Sequence, residues 1–426
     1  MLTSFRFERG PRMTDPVPFF REVVAAHPRC FWLDGGGARE WSGRRSIIGW
    51  LDDDDVSLTY DAALGEVARH SSGDSGVIGS DVFAALEAEL VSGLPTDQWF
   101  GYFGYASRSD LPAATASGIP DAVWMRARHV RMFDHDLGGS SAQMAARATT
   151  SAHDPDYEGA FATVQEHLHA GNSYEVNLTY REEQVSDVDP ATAYLRLREL
   201  NPAPYAGFLQ HDVRDVPGAR GWLLSSSPER YALIDADRTI ETKPIKGTTP
   251  RGATPAEDAT LRDRLAVEPK FRAENLMITD LLRNDLSMVC EPGSVEVPSL
   301  MAVESYETVH QLVSTIRGRL RDDVTTVGAL RTLFPAGSMT GAPKLRTMQI
   351  IEQVESTARG PYAGAFGWVS AGGQADLGVV IRSLMTGGDG RYLLGTGGGI
   401  TVHSDVAEEY AESRWKADRL RQVFTD

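Results

Sequence analysis

From residue 155 onward the chain alternates strand-length apolar segments with longer amphipathic ones, and this alternation limits the possible folds more than any other feature. GWLLSS, YALI, GAFGWVS, GVVIRSL and YLLGTG have the length and the β-branched or aromatic content of strands. PAEDATLRDRLAV, FRAENLMITDLLRNDL, APKLRTMQIIEQV and EEYAESRWKADRLRQVF carry apolar residues at helical spacing. Strands that follow one another like hairpins favour antiparallel sheets with helices packed outside, an α+β architecture. No repeat of fixed period interrupts the pattern.

The preceding region reads differently. Between Cys30 and Trp50 the runs FWLD and SIIGW, followed by VSLTY, suggest an antiparallel sheet, whereas SSGDSGVIG at 71–79 reads as a loop. Phe83, Leu86, Leu90 and Leu94 predict a helix that Pro95 stops. Residues 137–156 are polar and rich in small side chains, as a linker is, so an N-terminal region 1–154 and a second region 155–426 are expected. The second region opens with a helix ended by Gly171-Asn172 and then a strand through SYEVNL.

Composition matters where it excludes partners. A formal charge of −17 repels nucleic acid and anionic membrane, so an anionic ligand must be held by local Arg, Lys or a metal ion. No apolar run is long enough to span a bilayer, and Arg6, Glu8, Arg9 and Arg12 break up the apolar core a signal peptide needs; a cytoplasmic protein is expected. Cys30 and Cys290 are too few for a disulfide framework and are not spaced as zinc ligands. Neither stands in a glycine-flanked turn that would expose a nucleophilic thiol, so glutamine amidotransfer through a cysteine is not expected of this chain.

Three groups of residues have chemical character. Glu274 lies opposite the apolar face of its helix, and Glu409 and Glu412 share a face of the last helix. Carboxylates drawn from separate helices make an oxygen-rich site for magnesium; the alternative is that they are solvated helix charges. Lys246 in ETKPIKGTTPRG follows Pro244 and precedes Gly247, which predicts a lysine presented by a stiff turn, with Lys243 and Arg251 as cationic neighbours. Such an amine serves as a nucleophile once its proton is removed, or else is an ordinary surface lysine. GTGGGI at 395–400 lacks dinucleotide spacing and precedes no helix directly, which argues against a nucleotide site and leaves a backbone anion nest.

Taken together, SSSPERY, PIKGTTPRG, AENLMITDLLRNDL, LVSTIRG, FPAGSMTGAPK, PYAGAFGW, GVVIRSL and GTGGGITVHSDVAEEYAES resemble, in order, the chorismate-utilising enzymes. These include the anthranilate synthase large component, aminodeoxychorismate synthase component I, isochorismate synthase and salicylate synthase. GRRSIIGW and GYFGYAS resemble the preceding region of the anthranilate and aminodeoxychorismate members more loosely. The resemblance implies the anthranilate synthase component I fold, with the active site between antiparallel sheets flanked by helices.

It also implies roles. Glu274 and Glu412 match direct magnesium ligands and Glu409 a water-mediated one, although Phe271 stands where the family often has another acid. Tyr362 and Arg382 match residues holding the enolpyruvyl carboxylate of chorismate, near Gly397 and Gly398; Lys416 matches a contact to the ring carboxylate. Gly247, Thr248, Gln311 and Ser338 would line the same pocket, with His310 structural and Thr340 a further hydroxyl contact. Glu229 matches the general acid for the C4 hydroxyl; the alternative is an ion pair with Arg230 or Arg251. PIKGT rather than PIAGT, and Glu175, a carboxylate that would hold ammonia or ammonium where water-using members carry a lysine base, resemble the aminodeoxychorismate synthases. That subfamily attaches an amine at C4 through a covalent lysine intermediate, with ammonia from a partner glutaminase, on the route to p-aminobenzoate and folate. Anthranilate, isochorismate and salicylate synthases are the rival readings. The N-terminal region resembles the part that binds tryptophan in some relatives, but its motif here is too degraded to imply a ligand.

Overall fold

A computed structural model describes residues 15–35, 45–115, 118–135, 155–214, 216–306 and 309–425. Met1–Met13, Gly36 and Gly37, the start of GRRSIIGW and nearly all of the expected linker, with its boundary at Asp154, lie outside the described residues.

Among the described residues the α+β architecture is present as two sheets, of nine and twelve strands, with antiparallel pairing throughout. In the first sheet Arg391–Ile400 runs between Glu175–Val185 and Ser383–Thr386. In the second, Val309–Arg319 pairs with Thr239–Lys243, Ile245–Pro250 and Glu296–Ser305. The N-terminal strands are stitched into both: Arg29–Asp34 pairs with Tyr205–Asp212, and Gln98–Phe103 pairs with Ala365–Ser370.

Apolar alternation explains why the sheets meet. Phe31 of the first stacks on Phe100 of the second with ring centroids 4.0 Å apart, in a core that includes Leu209, Leu223 and Phe366. Gly207 is needed there, because a Cβ would stand 2.6 Å from the Phe366 ring. Each such buried ring stabilises the sandwich by about 1.5–3 kcal/mol. The outer face of the first sheet buries Trp32, Phe208 and Leu394 against Phe20, Tyr194 and Leu420 of the helices Val17–Ala26, Pro190–Leu200 and Val406–Gln422.

Three expectations are corrected. Residues 71–79 are not a loop: Glu66–Ser71 and Asp74–Gly79 form a hairpin turned by Ser72 and Gly73, both at positive φ. The second strand is exposed along its whole length, so it has no apolar alternation to read. GVVIRSL is not one strand; Ala375–Val379 and Ser383–Thr386 belong to different sheets, and the chain breaks at Arg382 with φ 52°. Lys246 is not on a free turn but on the edge strand Ile245–Pro250, whose register slips between Ile245 and Thr248 around Gly247 at φ 91°.

Candidate active site

A cavity of about 130 Å³ lies where the strand Arg391–Ile400, the edge strand Ile245–Pro250 and the helices Pro269–Ser287 and Val406–Gln422 converge. Larger hollows of 480 and 790 Å³ occur elsewhere, but size does not choose the site. Convergence of titratable groups does: the smaller cavity gathers the buried Glu229, Lys246, Glu274 and Glu409 with the half-buried Lys270, Arg382, Glu412 and Lys416.

Lys246 reaches this cavity because of the slipped edge strand. Its ammonium donates to Glu175 Oε1, and both side chains are buried. Glu175 does not line the cavity; it sits behind Lys246 on the strand Glu175–Val185, with Oε2 unpartnered. Burial would lower the Lys246 pKa, but Glu175, Glu274 and Glu229 outweigh it and hold the amine protonated well above its ordinary range. The expected cationic neighbours are engaged elsewhere: Lys243 pairs with Glu304 at 2.8 Å and Arg251 with Asp258 at 2.7 Å. The surface-lysine reading is therefore excluded by burial, and the resting state is an ion pair.

The glycine run explains the close approach. A Cβ on Gly399 would stand 2.2 Å from Glu175 Oε1 and 2.9 Å from Lys246 Nζ, and one on Gly395 would stand 2.3 Å from the Tyr362 ring. Gly398 passes beside Glu409 and Lys416, with 3.4 and 3.6 Å left for a Cβ. GTGGG is thus the floor on which site side chains lie.

Glu229 is buried and accepts a 2.6 Å hydrogen bond from Ser338 Oγ. Burial pushes its pKa up to about 7, against smaller opposing effects from Ser338 and Lys246. Neither alternative partner is involved, since Arg230 pairs with Glu241 and Arg251 with Asp258. A carboxyl that keeps its proton near neutrality has the property a general acid needs.

The three candidate metal ligands line the same cavity. Glu409 binds Lys270 at 2.6 Å and Ser404 at 2.7 Å, and Glu412 binds Lys416 at 2.8 Å, whose charge lowers the Glu412 pKa. Glu274 is buried with Oε1 lacking any hydrogen-bond partner, and burial raises its pKa to about 7. An orphaned buried carboxylate beside two more is a donor set that fits a hard divalent cation. Among the described residues, the trio whose ligand atoms lie within 4.8 Å of one another is instead Asp52, Asp55 and His129. Lys270 and Lys416 hold the acids Glu409 and Glu412, and a cation must compete with both.

Tyr362, Arg382, Gly397, Gly247, Thr248 and Gln311 line the cavity as well, and the Gly397 carbonyl accepts a 3.0 Å hydrogen bond from Lys416. Arg181 stacks 5.1 Å from the Tyr362 ring and is tied to the buried Glu355 at 2.8 Å. His310, on the other face of the strand from Gln311, is held by Ser305 at 2.8 Å and Asp258 at 3.0 Å, away from the cavity. Thr340 also turns away, bonding to the Ala336 and Gly337 carbonyls. Phe271 packs over Gly247, where a Cβ would stand 2.7 Å from its ring.

Lys270 and Asn177 were missed by sequence reasoning. Lys270 stands four residues before Glu274, a spacing that puts both on one helix face and was available as a signal. Asn177, which donates to the Ser338 carbonyl at 2.7 Å, carried no such signal. Cys30 and Cys290 are both buried, and burial raises their pKa values, Cys290 to about 11; neither resembles a nucleophilic thiol.

Residues 138–422 match the family described as chorismate binding enzyme. The aminodeoxychorismate synthase of Streptomyces pristinaespiralis is 38% identical over 93% of this chain and 62% of its own length. Component 1 of the Escherichia coli (strain K12) aminodeoxychorismate synthase is 42% identical over 62% of this chain and 56% of its own. The chain therefore spans less than two thirds of these curated relatives. Anthranilate synthase component I from Streptococcus pneumoniae TIGR4 superposes with a TM-score of 0.72 at 26% identity, covering 89% of this chain and 92% of that one. Escherichia coli MenF, a menaquinone-specific isochorismate synthase, superposes at 0.70 over 96% and 91% of the two chains; at 18% identity it shows the fold alone.

Proposed function

The chain belongs to the chorismate binding enzymes, and from that premise we propose that it aminates chorismate at C4, giving 4-amino-4-deoxychorismate with ammonia from a partner glutaminase. The observation that carries this reading is the buried Lys246, backed by Glu175, lining the same cavity as a Glu229 whose pKa burial raises to about 7.

In this reading Lys246 first loses a proton to Glu175, whose second oxygen has no other partner. The amine attacks C2 of the ring as the C4–O bond breaks, and Glu229 delivers its proton to the departing oxygen, which leaves as water. Ammonia then attacks C4 as the C2–N bond breaks; the new C4 ammonium returns a proton to Glu229, and the released Lys246 amine takes back its proton from Glu175. Two successive allylic displacements return the ring to its original pattern with the amine para to the ring carboxylate. Ammonia attacking C2 directly would give the ortho product instead.

Glu274 and Glu412, with Glu409 through water, would hold magnesium, which supplies positive charge for the ring carboxylate of the substrate. Arg382 offers a fork of donors to the enolpyruvyl carboxylate beside Tyr362, with Gln311 and Thr248 completing that wall. Among the described residues no helix is long and apolar enough to cross a membrane.

Purified protein incubated with chorismate, magnesium and an ammonium salt, with products separated by chromatography and identified by mass, tests the reading. The para amine supports it. The ortho amine, a hydroxylated isomer or unchanged chorismate each overturns it.

A further inference from the structure

The wall bearing Arg382, Thr248 and Gln311 has a second side. A hollow of about 80 Å³ shares those residues with the reaction cavity and is completed by Tyr306, Trp415 and Arg419. Trp415 and Arg419 follow Glu412 by three and seven residues, so one stripe of the helix Val406–Gln422 serves both spaces. The Arg382 guanidinium lies 5.6 Å from the centroid of the Trp415 ring.

The charges in this hollow are unbalanced. Among the described residues neither Arg382 nor Arg419 has a carboxylate within ion-pairing distance. Arg382 makes no side-chain hydrogen bond to a described residue, and it is held at φ 52°, a conformation uncommon for a side chain of its size. Burial, and next the charge of Arg419, push the Arg382 pKa down to about 10. Tyr362 and the Glu412 carboxylate offset this only in part, so two neighbouring guanidinium groups with no carboxylate in contact are a costly arrangement unless an anion visits. Arg419 also donates to the Leu200 carbonyl at the end of the helix Pro190–Leu200, but that uses one donor of five.

We propose that Arg419, with Trp415 against Arg382, forms a carboxylate-receiving vestibule: an incoming carboxylate of the substrate is held first by Arg419 and then passed to Arg382 in the reaction cavity. The inference rests on the proposed reaction, because it takes chorismate as the anion. Arg419 is a binding residue on the approach path and takes no part in bond making.

The test is steady-state kinetics of the full chain and of its Arg419→Gln and Arg419→Lys variants, with chorismate varied at fixed ammonium and magnesium and sodium chloride raised stepwise. Arg419→Gln should raise KM for chorismate about tenfold with kcat within about twofold, and should flatten the salt dependence of kcat/KM. Arg419→Lys should keep most of that salt dependence, because it keeps the charge. An unchanged KM and an unchanged salt slope in Arg419→Gln, with only thermal stability lowered, would reduce Arg419 to a helix cap and overturn the vestibule. If Arg419→Gln does not fold, the lysine variant decides: loss of the salt slope with the charge still present overturns it equally. Absence of any chorismate turnover by the unaltered chain is a different failure, since it removes the proposed reaction and with it the vestibule's ligand.

Discussion

Replacing Glu229 with glutamine changes one proton site and almost no volume, and the amide oxygen still accepts from Ser338. In the folded chain burial raises this carboxyl from the ordinary 4.5 to about 7. At about 1.4 kcal/mol for each factor of ten in proton affinity, ionising it inside the protein costs about 3 kcal/mol more than ionising it in the unfolded chain. The sign follows from which state binds the proton more tightly. Because the folded form does, the cost is absent below about pH 4.5, grows as pH rises through the interval up to about 7, and is complete above it. Urea denaturation of both proteins at pH 5, 6, 7 and 8 should therefore show Glu229→Gln gaining on the unaltered chain by up to about 3 kcal/mol across that range; taking the difference cancels other titrating groups. Turnover moves the other way: the variant loses the acid, and in the unaltered chain kcat/KM should fall as pH rises through about 7. A stability difference that stays flat from pH 5 to 8 would show that burial does not hold this proton and would remove the basis for Glu229 as the acid.

Lys246→Met should abolish the para amine and cost about 3–5 kcal/mol in urea, because Glu175 is left buried without its partner; adding Glu175→Gln should recover most of that stability and none of the product. Para product from either variant would refute the covalent role. Gly399→Ala puts a methyl 2.2 Å from Glu175 Oε1, so it should lower kcat at least about tenfold, and normal kinetics would mean the pair is not confined by that floor. Glu274→Gln should weaken magnesium binding about 100-fold in calorimetry, and chelation of magnesium should leave the unaltered chain inactive; undiminished binding by the variant would move the metal elsewhere.

The strand and helix segments after residue 155 were legible because each carries its own periodicity, and the helix Pro255–Val267 coincides with the segment read from its pattern. The exposed strand Asp74–Gly79 and the break at Arg382 were not, since one lacks an apolar face and the other depends on two sheets meeting. Among site residues, Lys246 and Glu229 were singled out by motif, yet the environment of Lys246 was misjudged: neighbours in sequence are cationic, neighbours in space are acids.

By itself, the order of residues determined the α+β class, the glycine and proline positions that let the backbone bend, and which side chains carry chemistry, because these depend on local geometry and periodicity. Only the tertiary structure decided that Glu175, Lys246, Glu229 and Glu274 influence one another, that Arg382 and Arg419 share a hollow, and that a buried carboxyl keeps its proton. Those properties arise from desolvation and from charges brought together from as far apart in the chain as Glu175 and Glu274, and no short window of sequence contains them.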